Sequence, residues 1–371
     1  MCSVCMSGIL PPALRYAMPS RRRFLRQGIL TVAGLAALPH RQARASAQPL
    51  DPITFDLHLH PGEFFARGTA GYAGDEAFYE RLRDMRAGGM HGGFVSLVAD
   101  AQLLERTPTG IVARRAYRPG EAAVEYVRQL AILKELVPQS QARIVRTMTE
   151  FRMAIRDGVV GLWLASEGSE CLDGDPERVD RLWSDGIRSI QLVHYALNTA
   201  GDLQTQPPQH GGLSALGKQV VQRMLARRML IDVAHADLAT VRDVVRLADA
   251  PIILSHSLLS LGSDRPLSAR TITPEHAKLI ASTGGVIGAW PSGTNASFAE
   301  FVENTKRLTD VVGVEHVGLG TDMDGSFQPV MTGYRQLREW TAGLQRQGFT
   351  EGEVNLIAGG NMERVLTQLM P

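Results

Sequence analysis

One alternation constrains this chain more than anything else in it. Eight short apolar runs rich in β-forming residues occur at 52–57, 93–99, 159–165, 188–194, 229–235, 251–256, 285–290 and 316–321. Amphipathic stretches lie between them, among them 74–88, 119–136, 148–156, 213–227, 237–248 and 274–283. Parallel strands need a crossover, and a helix is the usual one, so this order predicts parallel sheet. Eight such units predict an α/β fold of the closed (β/α)8, or TIM-barrel, type. No G-x-G-x-x-G follows the first run, which weighs against an open dinucleotide-binding sheet. A ninth apolar stretch, 142–147, reads as an extra strand or an extra turn. Thr273-Pro274-Glu275 is a helix start, with an N-cap followed by Pro at the first helical position. Gly284-Gly285 stops that helix before the next strand. No apolar run reaches the roughly 18 residues of a membrane span, which excludes a polytopic membrane protein.

The first 47 residues read as an address. Ser20-Arg21-Arg22-Arg23-Phe24-Leu25-Arg26 is a twin-arginine pattern, followed by a short apolar run from Gly28 to Leu38. Ala43-Arg44-Ala45-Ser46-Ala47 offers small-residue cleavage sites before Gln48. A charged head, a short apolar middle and an A-x-A end describe a secretory signal, here of the Tat type. The expectation is a cleaved leader over 1–47, whose true start could be Met18, and a single catalytic domain over 48–371. The Tat translocon is then the export partner, and the mature protein is periplasmic or secreted, without a membrane segment. Setting aside the seven arginines of 1–47 leaves 32 basic against 38 acidic residues, a charge of −6. A mildly acidic domain gives no reason to expect a nucleic-acid partner. Cys2 and Cys5 fall in the leader, so the mature chain keeps only Cys171 and forms no intrachain disulfide.

The ionisable residues fall where the strands end. The first run closes with Asp56-Leu57-His58-Leu59-His60, and residues two apart in an extended chain point the same way. His58 and His60 can therefore grip one ion. Glu167 ends the third run, His194 the fourth, His235 the fifth and His256 the sixth, and Asp322 and Asp324 follow the eighth. Barrel active sites are built at this C-terminal rim. A lone His there is usually structural. The coincidence of five with two carboxylates points to a metal site. Asp56 and Asp232 read as structural carboxylates that cap turns or orient a neighbouring His, and His91, His210, His276 and His316 as surface or structural residues. Imidazole with carboxylate suits zinc first, with manganese, iron and cobalt compatible. The ligands are too many for one ion with an open position, so two ions sharing a carboxylate fit better. The four lysines, Lys134, Lys218, Lys278 and Lys306, all fall in predicted helices or loops. None can serve as a carboxylated bridge on a strand, which leaves Glu167.

These motifs resemble the membrane (renal) dipeptidase family of zinc metallopeptidases, from about Phe55 to Arg364. The matching pieces are His58-Leu59-His60, Ser166-Glu167-Gly168 and Val193-His194 with Asn198-Thr199. Gly212-Leu213-Ser214-Ala215-Leu216-Gly217 continues the match, then Ile231-Asp232-Val233-Ala234-His235 and Ser255-His256-Ser257. Ala269-Arg270-Thr271, Gly318 to Gly325, and Gly360-Asn361-Met362-Glu363-Arg364 complete it. Two positions depart from the family pattern. His60 stands where the family has a ligating Asp, and Trp290 where it usually offers an aromatic hydroxyl.

The resemblance implies a binuclear zinc dipeptidase. His58 and His60 would bind one ion, His235 and His256 the other, and Glu167 both. A hydroxide held between the ions would attack the scissile carbonyl. His194 would stabilise the oxyanion. Asp322 would hold the substrate's free amine and relay a proton to the leaving nitrogen. Arg270 would take the C-terminal carboxylate. The family tendency adds a homodimer. The departures at His60 and Trp290 keep a second reading open, another metal-dependent hydrolase of N-acyl amino acids, lactams or small amides. A non-catalytic periplasmic metal-binding protein is a third, which would need none of His194, Asp322 and Arg270.

Overall fold

The computed structural model describes residues 52–371, so the expected leader, 1–47, lies outside the described residues. The strands are β1 (Phe55–Leu59), β2 (Gly92–Val98), β3 (Leu104–Thr107), β4 (Gly110–Ala113), β5 (Ala142–Val145), β6 (Val160–Glu167), β7 (Ile187–Gln191), β8 (Leu230–Asp232), β9 (Ile253–Ser257), β10 (Val286–Ala289) and β11 (Val317–Leu319). Eight of them, β1, β2 and β6 to β11, pair in parallel, and the β1–β11 and β2–β6 contacts close the ring. The fold is a (β/α)8 barrel.

The ninth apolar stretch is a strand. β5 pairs with the first half of β6, Ala142 opposite Val160 through Val145 opposite Trp163, and β7 takes over the same edge from Leu164 onward. It is a wedge at the N-terminal end, not a member of the closed ring.

The helices that follow the strands are α1 (Asp75–Gly88), α2 (Glu121–Leu136), α3 (Met148–Arg156), α4 (Arg178–Asp185), α5 (Ala215–Ala226), α6 (Leu238–Leu247), α7 (Pro274–Ala281), α8 (Phe298–Val312), α9 (Leu337–Arg346), α10 (Glu351–Asn355) and α11 (Asn361–Leu369). Their starts are chemically specified. Thr147, Ser214, Asp237, Thr273 and Ser297 each accept the backbone N–H three residues on, and Thr350 with Glu353 forms a capping box.

Two apolar clusters divide the interior. One lies between sheet and helices and takes Leu59, Val95, Leu162 and Leu164 from the strands, with Phe78, Leu133, Phe301 and Trp340 from the helices. The other fills the lower barrel with Phe55, Leu57, Phe94, Trp163 and Ile253, and is closed below by α3 and α11 through Phe151 and Leu366. β1 changes cluster along its length, and the cause is a register shift. Four residues of β1, from Asp56 to Leu59, lie against three of β2, from Gly93 to Val95. β9 does the same from Leu254 to Ser257 against Ile287 to Ala289 of β10. An extra residue re-aims the side chains beyond it, as bulges beside active sites commonly do. These two shifts carry His58 and His256.

Candidate metal centre

The site forms around the Glu167 carboxylate, at the last residue of β6. His58 Nε2 lies 3.2 Å from one oxygen and His60 Nε2 3.3 Å from the other. His194, His235 and His256 bring Nε2 to 3.1, 3.6 and 3.9 Å of the first oxygen. His58 and His60 stand 3.1 Å apart at Nε2, as do His235 and His256. Asp322 Oδ1 is 3.3 Å from His60 Nε2. All seven residues are buried. The structure thus brings together every ligand and catalytic candidate read from the sequence, with Arg270 beside them.

The strands end earlier than the motifs suggested. β7 stops at Gln191 and β8 at Asp232, so His194 and His235 stand on the loops beyond. His235 reaches the site by adopting φ 67°, and Asp322 and Asp324 sit at 51° and 69°. Left-handed backbone costs a non-glycine residue roughly 1–3 kcal/mol where the surroundings impose it, and such residues gather at functional sites. Gly325 is needed for a related reason: a Cβ there would lie 2.5 Å from both Asp322 Oδ1 and the His60 ring.

Serines, not Asp56 and Asp232, orient the rings. The Ser96 hydroxyl meets His58 Nδ1 at 3.2 Å, and His60 Nδ1 donates to the Ser96 carbonyl at 3.1 Å. The Ser255 hydroxyl meets His256 Nδ1 at 2.9 Å. Asp56 instead accepts from the His58 and Thr321 backbone amides and from the Thr321 and Tyr334 hydroxyls. Asp232 accepts the amides of Ala234 and Ser255. Both carboxylates lock backbone at the strand ends. Asp324 is held by Arg81 through both oxygens and by the Gly62 amide, and is structural.

Asp100, just past β2, is a site residue the sequence reading missed. It accepts from His194 Nδ1 at 2.5 Å, while its other oxygen takes the Tyr195 and Ala196 amides at 3.2 and 3.0 Å. Arg270 is 1% exposed. Its guanidinium donates to Gln204 Oε1 at 2.5 Å and lies 3.3 Å from His256 Nε2 and 5.6 Å from the Trp290 ring centre. Among the described residues no carboxylate lies in ion-pair contact with it and its Nε finds no hydrogen-bond partner, so it is a buried cation beside the histidines. Trp290 gives that wall an indole where the family offers a hydroxyl. Tyr195 adds a phenol that interacts with Arg270, its ring 4.9 Å from His235.

The electrostatics match a cation site. Burial alone would raise the Glu167 carboxyl, but the charges and hydrogen bonds of His194, His58 and His235 hold it well below the usual range. Burial lowers His60, yet Asp322 and Glu167 outweigh it and raise the ring to about 10. His194 rises to about 10 against burial because Asp100 and Glu167 flank it. Burial, with Arg270 and neighbouring histidines, pushes His235 and His256 well down, leaving them neutral, which is the form that ligates. Imidazole nitrogens facing each other at 3.1 Å need a proton or a metal ion between them. Three groups satisfy ligand geometry: His58 with His60 and Asp322, His58 with Glu167 and His256, and Glu167 with His194 and His235. The donor set fits zinc-type ions. The cluster opens into a small pocket whose remaining wall is largely apolar, including Phe65, Leu104, Ile111, Leu267, Trp290 and Phe327.

A closed barrel with a buried His–Glu–Asp cluster at its C-terminal mouth defines the class of metal-dependent barrel enzymes. The chain belongs to one family within it, membrane dipeptidase (peptidase family M19), whose family model matches residues 54–370. It is 26% identical over 251 residues to dipeptidase verJ of Clonostachys rogersoniana, covering 65% of this chain and 64% of that one. It is 29% identical over 222 residues to dipeptidase aclJ of Aspergillus oryzae, covering 56% and 51%. The match thus spans less than two thirds of the length of these fungal relatives. Its fold is that of the metallopeptidase from Rhodobacter sphaeroides liganded with a phosphinate mimic of L-Ala-D-Ala. There the TM-score is 0.71 at 21% identity, over 86% of this chain and 100% of that one.

Proposed function

We propose that this protein is a binuclear zinc dipeptidase. The observation that carries the reading is the convergence of five imidazoles on one carboxylate beside a buried arginine that has no acidic partner among the described residues. His58, His60, Glu167, His235 and His256 would hold the ions, with Glu167 shared. Bound zinc supplies a water acidified toward neutral pKa and polarises the scissile carbonyl.

The chain's own residues supply the rest. Arg270 binds the substrate's terminal carboxylate, the anion its buried charge lacks. His194, oriented by Asp100, donates to the oxygen that becomes negative at the attacked carbonyl. Asp322, which lines the pocket, meets the amine end and carries a proton to the leaving nitrogen. The apolar wall excludes water and limits length. Membership of a dipeptidase family supports peptides of two residues as substrates. The twin-arginine segment supports export to the periplasm or beyond, and the family tendency supports a dimer.

The test is a panel of dipeptides, tripeptides and N-acyl amino acids assayed on the zinc-loaded protein, before and after chelation. Cleavage of dipeptides but not tripeptides, lost with chelator and regained with zinc, is expected. Turnover of N-acyl amino acids alone would favour the wider amide-hydrolase reading, which His60 and Trp290 motivate.

A further inference from the structure

Arg270 is held by neutral groups. Its Nη1 donates to Gln204 Oε1 at 2.5 Å, and the other end of the same amide is engaged too, because Gln204 Nε2 donates to the Thr271 carbonyl at 3.0 Å. An amide has its acceptor at one end and its donors at the other, and matching both ends fixes which way it points. The guanidinium's other neighbours are the His256 ring, whose Nε2 is 3.3 Å from Nη2, the Tyr195 phenol and the Trp290 indole. Burial pulls the guanidinium below its ordinary range, and Tyr195 opposes this more than Glu167 or Asp322 does.

The backbone sets Gln204 in this place. Residues 202–204 run antiparallel to 235–237: the Gln204 amide donates to the His235 carbonyl at 2.8 Å, the Asp237 amide to the Asp202 carbonyl at 3.1 Å, and Leu203 pairs with Ala236. The Asp202 carboxylate takes the amides of Gln209, His210 and Gly212, which closes the loop on itself. Gln204 is therefore tied through its backbone to His235 and through its side chain to Arg270. A carboxylate in its position would also hold the guanidinium, but it would cancel the charge and turn an oxygen toward the Thr271 carbonyl. The amide holds the cation and leaves the charge in place. A carboxylate that then reaches the guanidinium makes a charge-assisted pair, worth about 10–100-fold in affinity over a neutral group in the same position.

We infer that Gln204 is a positioning residue that determines specificity: it aims Arg270 while leaving its charge uncompensated, and so makes a free terminal carboxylate on the substrate the condition for tight binding. The inference rests on the proposed role of Arg270 as the partner of that carboxylate.

The experiment takes each dipeptide cleaved in the panel above together with its C-terminal amide, and measures KM and kcat for wild type, Gln204→Glu and Gln204→Met. Zinc content and circular dichroism check that the variants are loaded and folded. Wild type should show a KM about 10–100-fold lower for the acid than for the amide. Gln204→Glu should abolish most of that preference by raising KM for the acid alone, with kcat and the amide's KM within about threefold of wild type. Gln204→Met keeps the length and the free charge but loses the aim, and should cut the preference by about 3–10-fold. A wild-type preference in Gln204→Glu overturns the inference, as does a loss in that variant that falls equally on acid and amide. If Gln204→Glu does not fold, an undiminished preference in Gln204→Met overturns it instead. A wild type that treats acid and amide alike removes Arg270 from its proposed role and this inference with it, and cleavage of no dipeptide sinks the proposed activity itself.

Discussion

The two ends of this barrel are built to opposite rules. At the N-terminal end, Phe55 meets Phe94 and Phe151 edge-on, with ring centres 5.4 and 5.7 Å apart, and Trp163 closes the group. At the C-terminal mouth the same strands carry buried imidazoles and carboxylates on bulged or left-handed backbone. The difference lies two or three residues apart along β1 and β9. Below the register shifts, burial of apolar surface stabilises the fold. Above them, desolvated polar groups cost stability and are kept for chemistry. Changes at the mouth should therefore alter turnover with little effect on folding, and changes in the plug should do the reverse.

Glu167→Gln tests the mouth most severely. It preserves shape, removes the charge that five histidines share, and would leave the proposed ions without their common anion. We expect kcat to fall by at least about 10³-fold, while the metal-free protein keeps its melting temperature within a few degrees. A near-wild-type rate would remove Glu167 from the centre of the site.

Phe151→Ala tests the other end. Phe151 is fully buried between Phe55 and Trp163, and its truncation should cost about 3–5 kcal/mol in denaturant unfolding. Activity per folded molecule should stay within about twofold. A comparable loss of kcat in the folded fraction would show that the plug and the mouth are not separable.

Asp100→Asn sharpens the boundary within the mouth. The Asp100 carboxylate meets His194 and two backbone amides and none of the five proposed metal ligands. An amide can present its N–H₂ to the ring and so lose control of the imidazole. We expect kcat to drop about 10²-fold with KM and zinc content nearly unchanged. Loss of zinc in this variant would mean that Asp100 supports the metal centre rather than His194.

The mouth was the more legible of the two ends. His58 and His60 share a face by strand period alone, and the placing of four lysines on helices or loops singled out Glu167; Lys134, Lys218, Lys278 and Lys306 do lie on α2, α5, α7 and α8. What local pattern cannot carry is contact at long range. Asp100 lies one residue past an ordinary apolar run and meets its partner 94 positions later. The shifts in β1 and β9 leave no residue-type signature. The β3–β4 hairpin, which supplies Leu104 and Ile111 to the pocket wall, turns at Pro108-Thr109 without an Asn-Gly or Asp-Gly signal.

His276 offers the smallest and finest probe, because it sits on α7 behind the mouth and belongs to neither set. It is 3% exposed and its Nε2 has no partner. Burial, with repulsion from Arg270, pushes the ring down to about 4 from an ordinary 6.5. The folded state therefore keeps it neutral while the unfolded chain takes up a proton below about pH 6.5. Between about pH 6.5 and 4 the unfolded state binds more protons, so stability falls as pH falls, with a slope approaching about 1.4 kcal/mol per pH unit. Well above pH 6.5 the residue adds no slope. His276→Gln removes this contribution while leaving every carboxylate in place. The measurement is the loss of unfolding free energy between pH 7 and pH 5 in wild type less that in the variant, which should be about 1–2 kcal/mol. Equal losses would mean that the ring finds a proton acceptor in the folded state. The buried positive charge of Arg270 would then be less isolated than its surroundings indicate.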